Sequence, residues 1–234
     1  MSFISSPIRK SVGITKAVLG MIQIDMMAPG FSPAGEYFLM PDLKSVRTSS
    51  LEPRYASFMG QFEEKYSDPK EVSPCPRTIL SRLVRSSPPP VFTVLMRREA
   101  EGDHNISFLA GFETEVVFLE DGVWPPLPIS NHAWSTSLSM RSGSVGKAIV
   151  EEIYDVLTDA GIEVLQFHGE SAPGQYEIIT GPLPPVEAVD ALVFTRDTIY
   201  NVCAKHGVKA TLYPKVFSES CSLPSLLMIA GADS

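Results

Sequence analysis

Cysteine is scarce. Cys75, Cys203 and Cys221 are the only three in 234 residues, they are odd in number and far apart, and no C-x-x-C pair occurs. That excludes a disulfide framework and a zinc ribbon, and it fits a reducing, cytoplasmic compartment. Basic charge is also short. Nineteen Lys and Arg against 27 Asp and Glu give a net charge of −8, and no basic stripe gathers on any segment. Phosphate contacts need clustered Lys and Arg, so nucleic acid is excluded as the main partner. Long apolar runs are missing too. The longest near the start, Ala17 to Ala28, is interrupted by Gln23 and Asp25, whereas a spanning helix needs about 20 apolar residues; no membrane partner is expected. Arg9, Lys10 and Lys16 precede that run as they would in a signal peptide, but Asp25 and the lack of a small-residue cleavage pattern argue against one. No internal repeat occurs.

What is present suits a packed globular chain of one large domain or two small ones: 44% hydrophobic and 20% charged residues. Residues 1–12 are polar and read as loose. Val18 to Met27 reads as one or two strands, and Met40-Pro41-Asp42 as a turn. Ile79, Leu80, Leu83 and Val84 recur at helical spacing in Pro76 to Val84, with Pro where a missing N–H is tolerated. Ser86 to Pro90 is a stiff linker, Val91 to Met96 a short strand, and Arg97 to Asn105 a charged connection. Ile106 to Leu119 is a longer strand, and the Pro- and Ser-rich stretch Asp121 to Ser144 a long loop. A helix follows, with Val145, Ile149, Ile153, Val156 and Leu157 on one face, Ser144 as N-cap and Gly161 as stop. Strands are expected at Glu163 to Phe167, Tyr176 to Thr180 and Lys209 to Tyr213. Between the last two, a helix from about Val186 to His206 buries Val189, Leu192, Val193, Ile199, Val202 and Cys203. Strands of antiparallel type interleaved with two long helices predict an α+β fold.

Two constellations carry chemistry. In Gly111-Phe112-Glu113-Thr114-Glu115 the two carboxylates lie two residues apart on a strand and so share a face. They are either a solvated strand edge or, on a strand this apolar, a pair that a cation neutralises. All-oxygen donors suit Mg²⁺ or Mn²⁺ rather than zinc. In His168-Gly169-Glu170-Ser171-Ala172-Pro173-Gly174-Gln175-Tyr176-Glu177, the Ala-Pro-Gly turn returns the chain and brings Glu170 and Glu177 near each other. By itself this is a surface hairpin or a site. Together the two constellations offer Glu115, Glu170 and Glu177 as one cation site, with Glu113 serving a neighbouring one. Paired cations are what phosphoryl transfer from ATP requires.

These motifs resemble the class I glutamine synthetase family. The resemblance rests on GFETE, HGESAPGQYEI, ITGPLPPVEAVDALVFTRDTI and AKHGVKATLYPK, in that order and spacing, with PDLKSVR and CPRTILSRL upstream. It runs from about Val18 to Phe217 and is nearest in form to the fungal synthetase-like and γ-glutamyl-polyamine-type branch. It implies a β-grasp remnant over 1–72, the first half of a catalytic domain with a curved antiparallel sheet over 73–217, and an unrelated tail over 218–234. It also implies Glu115, Glu170 and Glu177 as ligands of a first Mg²⁺ or Mn²⁺, Glu113 as a ligand of a second, and His168 beside the nucleotide, either as a contact or as a surface residue at a strand end. No catalytic residue is assigned. The implied reaction uses ATP to activate the γ-carboxylate of glutamate, and ammonia or an amine then displaces phosphate.

The resemblance also sets expectations by its gaps. Only about forty residues precede Pro41, fewer than the family's β-grasp domain, and VFSESCSLPSLLMIAGADS stands where the family has Gly-Ser-Gly-x-His. The chain is therefore expected to be truncated at both ends, to leave a sheet edge unpaired, and to lack activity by itself. Two functions stay open: a metal- and ATP-dependent carbon–nitrogen ligase working as a homo-oligomer, or a non-catalytic remnant or regulatory subunit that co-assembles with a full-length synthetase.

Overall fold

The computed structural model describes residues 11–22, 26–65, 74–85, 106–131, 136–214, 216–217 and 226–232. The expected linker at 86–90, the strand at 91–96 and the connection at 97–105 lie outside them. The chain divides into two compact units, one of residues 1–46 and 57–99, the other of residues 47–56 and 100–234.

The first unit holds a three-stranded antiparallel sheet of β1 (Val12–Thr15), β4 (Glu36–Pro41) and β5 (Gly60–Glu64), in the order β1-β4-β5. Between β1 and β4 lie one helical turn, α1 (Ala17–Gly20), and a small ribbon of β2 (Met21–Ile22) and β3 (Met26–Met27). The expected strand over Val18 to Met27 is thus partly helical. The expected turn at Met40-Pro41-Asp42 falls at the end of β4. Helix α2 (Pro76–Arg85) closes the unit. Its buried Arg77 pairs with Asp42 at 2.8 Å, and Asp42 also accepts from the backbone N–H of Lys44 at the 3-10 turn Leu43–Ser45.

The second unit is built on β6 (Ile106–Glu120), a 15-residue strand whose Val116 and Phe118 pack with the helices. Thr114, Val116 and Phe118 are buried on that face. A short helix, α3 (Thr136–Ser139), leads to α4 (Val145–Asp159), β7 (Val164–Gly169), β8 (Gln175–Thr180), α5 (Pro185–Lys205), β9 (Val208–Thr211) and β10 (Leu226–Ala232). The sheet runs β9-β6-β8-β7, all neighbours antiparallel. β10 pairs with the first half of β6, Leu226 opposite Phe112 through Ala232 opposite Ile106. Ala110 exchanges both backbone hydrogen bonds with Leu183 on the β8 side, so β10 lies on the β9 side. Along residues 106–112, β6 is therefore paired on that side by residues 226–232, part of the segment read as an unrelated tail.

Helices α4 and α5 pack on this sheet around Val116, Phe118, Ile149, Ile153, Leu157, Tyr176, Ile178, Ile199 and Val202. Ser144 caps α4 by accepting from the N–H of Lys147, and Gly161 takes φ +74° just past its end. Two details depart from the sequence reading. Val145 is exposed, because Gly146 takes the close approach instead: a Cβ there would run into the Tyr176 hydroxyl. On α5 the buried residues are Ala188, Asp190, Ala191, Thr195, Thr198, Ile199, Val202 and Cys203, while Val193 faces outward. Small and β-branched residues let the helix sit near β6, so the stripe is less apolar than expected. Among the described residues no helix is long and apolar enough to cross a membrane.

Candidate metal centre

The odd-numbered face of β6, turned away from the helices, carries the acids. Antiparallel pairing sets Glu115 opposite Glu177 on β8, and Glu177 opposite His168 on β7. Directly paired residues share a face, so Glu115, Glu177 and His168 form one row across three strands. Glu113 is one step along the same face, opposite Ile179. The alternation that buries Tyr176 and Ile178 in the core is what turns Gln175 and Glu177 to the opposite side.

Glu170 lies just beyond β7 and reaches the row through the turn. Its N–H donates to Gln175 O (2.9 Å), and its Oε2 accepts from Ser171 N–H (3.0 Å). Gly174 makes this turn possible. It sits at φ +69°, and a Cβ there would stand 2.7 Å from the Phe118 carbonyl oxygen. That close approach lets Phe118 N–H donate to Gly174 O at 2.8 Å, which locks the hairpin onto β6.

The result is a cluster of donor atoms. Ligand atoms of His168, Glu170 and Glu177 all lie within 4.8 Å of one another. The imidazole stands between the two acids, Nδ1 at 3.7 Å from Glu170 and Nε2 at 3.7 Å from Glu177. Glu177 is only 8% exposed. Burial pushes its carboxyl up to about 7, against the opposing pull of His168 and with the help of Glu113, Glu170 and Glu115. Glu115 is raised as well, by burial and by the charges of Glu170 and Glu113, while the Gln175 amide works the other way. Acids that raise one another's proton affinity on a half-buried face have an uncompensated negative field. A divalent cation held by carboxylate oxygens offsets it, so the donor set fits Mg²⁺ or Mn²⁺.

The structure thus gathers the donor atoms of His168, Glu170 and Glu177, sets Glu115 opposite Glu177 in the same row but outside that group, and leaves Glu113 at the margin. His168, read from sequence as a residue beside a nucleotide, lies among the acids. Gln175 is the residue that motif reading overlooks. Its side chain is 1% exposed and donates from Nε2 to Glu115 Oε2 at 2.6 Å. The available signal is its place two residues before Glu177 on an alternating strand.

The profile described as glutamine synthetase, catalytic domain, matches residues 91–223, more than half of the chain. Protein fluG of Emericella nidulans is 32% identical over 226 residues, which cover 93% of this chain and 24% of that protein. Gamma-glutamylpolyamine synthetase GlnA3 of Streptomyces coelicolor is 28% identical over 193 residues, or 80% of this chain and 37% of that one. The chain therefore spans 24% and 37% of the lengths of these two curated relatives. Among solved structures, GmaS in complex with ADP matches 91% of this chain and 44% of its own with a TM-score of 0.64 at 18% identity, a likeness of fold.

Proposed function

This chain belongs to the glutamine synthetase catalytic-domain family, and from that premise we propose that it carries the cation-binding part of an ATP-dependent carbon–nitrogen ligase. The substrates are glutamate and ammonia or an amine, joined at the γ-carboxylate by way of an acyl phosphate. The observation that carries the reading is the row Glu115–Glu177–His168 with Glu170 closing it from the turn. Glu115, Glu170 and Glu177 would hold one Mg²⁺ or Mn²⁺, with His168 as neighbour or further donor, and Glu113 would face a second cation. Bound there, the cations supply neutralisation of charge on the transferring phosphoryl group.

The chain's own residues set the conditions. Glu177 gives up its proton before it can ligate, so cation binding strengthens as pH rises through about 7. The His168 ring, between Glu170 and Glu177, presents one nitrogen to each carboxylate. The name of a relative supports the chemistry: GlnA3 is a gamma-glutamylpolyamine synthetase. Further copies of this chain, or an intact synthetase, are the proposed assembly partners, and the cytosol is the proposed compartment.

The test is ATP consumption that requires glutamate, an amine or ammonia, and Mg²⁺ together, measured on the chain alone and on the chain co-expressed with an intact synthetase. Turnover lost in the co-expressed sample when only this chain carries Glu177→Gln supports the reading. ATP turnover in neither sample, or turnover indifferent to glutamate and amine, removes it.

A further inference from the structure

We infer that Gln175 is a positioning residue that sets the Glu115 carboxylate for cation binding and couples it to Glu170, a role that rests on the cation-binding reading above. Glu115 lies on β6, whereas Glu170 lies past the end of β7, where no sheet ladder fixes its distance from β6. Gln175 bridges that gap with both backbone and side chain. Its carbonyl accepts from Glu170 N–H (2.9 Å), and its N–H donates to Ala172 O (3.0 Å). Its side-chain Oε1 accepts from Ala172 N–H (2.8 Å), and Nε2 donates to Glu115 Oε2 (2.6 Å).

Only one orientation of the amide satisfies these partners. The oxygen must meet the Ala172 N–H and the NH₂ must meet the carboxylate; a flip sets donor against donor and acceptor against anion. With the residue 1% exposed, water cannot substitute for either bond. The amide therefore holds one oxygen of Glu115, Oε2, in place. Because the bond is made to a carboxylate, it holds that oxygen more firmly than a neutral amide partner would. Such outer partners of ligating carboxylates change metal affinity by about 10–100-fold when removed.

The rival role is a hairpin clamp that matters for folding alone. Mn²⁺ binding to the purified chain, followed by the loss of the free-ion signal in electron paramagnetic resonance, separates the two. In Gln175→Met, of similar length and without the amide, we expect the dissociation constant for Mn²⁺ to rise about tenfold under conditions where circular dichroism shows the variant folded. An unchanged constant, even with a lower melting temperature, overturns the inference and leaves the proposed function standing. Failure of the unaltered chain to bind Mn²⁺ removes the cation reading itself. Should Gln175→Met not fold, the side-chain NH₂ resonances of Gln175 in the unaltered chain decide the matter. Slow exchange and a shift on adding Mg²⁺ support the coupling, and resonances indifferent to Mg²⁺ refute it.

Discussion

Replacing Glu177 by Gln isolates the cost of the acidic row. The Glu177 carboxyl is raised from 4.5 to about 7, burial being the leading cause. A raised carboxyl binds its proton more tightly folded than unfolded, so the metal-free protein loses stability as pH climbs from about 4.5 through about 7. At about 1.36 kcal/mol for each tenfold change in proton affinity, the full loss approaches ~3 kcal/mol, and coupling with Glu113, Glu115 and Glu170 makes roughly 1–3 kcal/mol the fair range. Glu177→Gln keeps the shape and removes the charge. At pH 8 without metal the variant should therefore be more stable than the parent by about that amount, or some 2–10 °C in melting temperature for a chain of this size. At pH 5 the parent is mostly protonated and the difference should shrink below about 1 kcal/mol. Mn²⁺ should then raise the melting temperature of the parent at pH 8 and leave the variant unmoved, because bound ligand stabilises only the form that binds it. The assay is thermal melting by circular dichroism at pH 5 and pH 8, with EDTA or Mn²⁺. A Gln variant less stable than the parent by the same margin at both pH values would refute the account of a strained acidic row.

The other predictions concern the scaffold and its thiols. Gly174→Ala forces a side chain into φ +69° against the Phe118 carbonyl. It should cost at least about 1–2 kcal/mol in urea denaturation and weaken Mn²⁺ binding by displacing Glu170. Gly146→Ala should cost about 1–3 kcal/mol by pushing on the buried Tyr176 ring, without changing Mn²⁺ affinity per folded molecule. Asp42→Ala leaves buried Arg77 without its carboxylate and the Lys44 N–H without its acceptor; a loss on the order of 2–4 kcal/mol is expected by chemical denaturation. The Cys203 thiol, 1% exposed and pushed up to about 12 by burial, should react with DTNB only as the chain unfolds, as mass spectrometry of the labelled peptide will show.

Periodicity makes the sheet-and-helix unit legible. Helix α4 begins after Ser144 and ends before Gly161 because both signals are local: a hydroxyl that accepts a free N–H, and a glycine that takes positive φ. The helical pattern places α5 within a residue at each end, yet it misplaces the buried face at Val193. Which side of a helix meets a sheet depends on what packs against it, and here Ala191, Thr195 and Thr198 are buried while Val193 faces outward. The short strands β1, β4 and β5 leave no such mark. Their pairing partners lie 19 or more positions away, and a segment of four to six residues carries too little pattern to announce itself. β10 is hidden for the same reason: Leu226–Ala232 acquires strand character from the vacant edge of β6.

The acids show where local reading stops. Glu113 and Glu115 alone are indistinguishable from a solvated strand edge, since alternation says only that they share a face. What gives Glu115 a site is the register of β8, which sets Glu177 opposite it rather than one residue away. A slip of one residue would move Glu177 into the helix-packed core and Tyr176 out of it. The burial of Tyr176, stacked on Phe118 at 5.1 Å and bonded to Ser139 O, therefore holds the register that assembles the acids. The prominent acids of the sequence depend on an aromatic residue that carries no charge, and on Gly174 and Gln175, which close the turn around them.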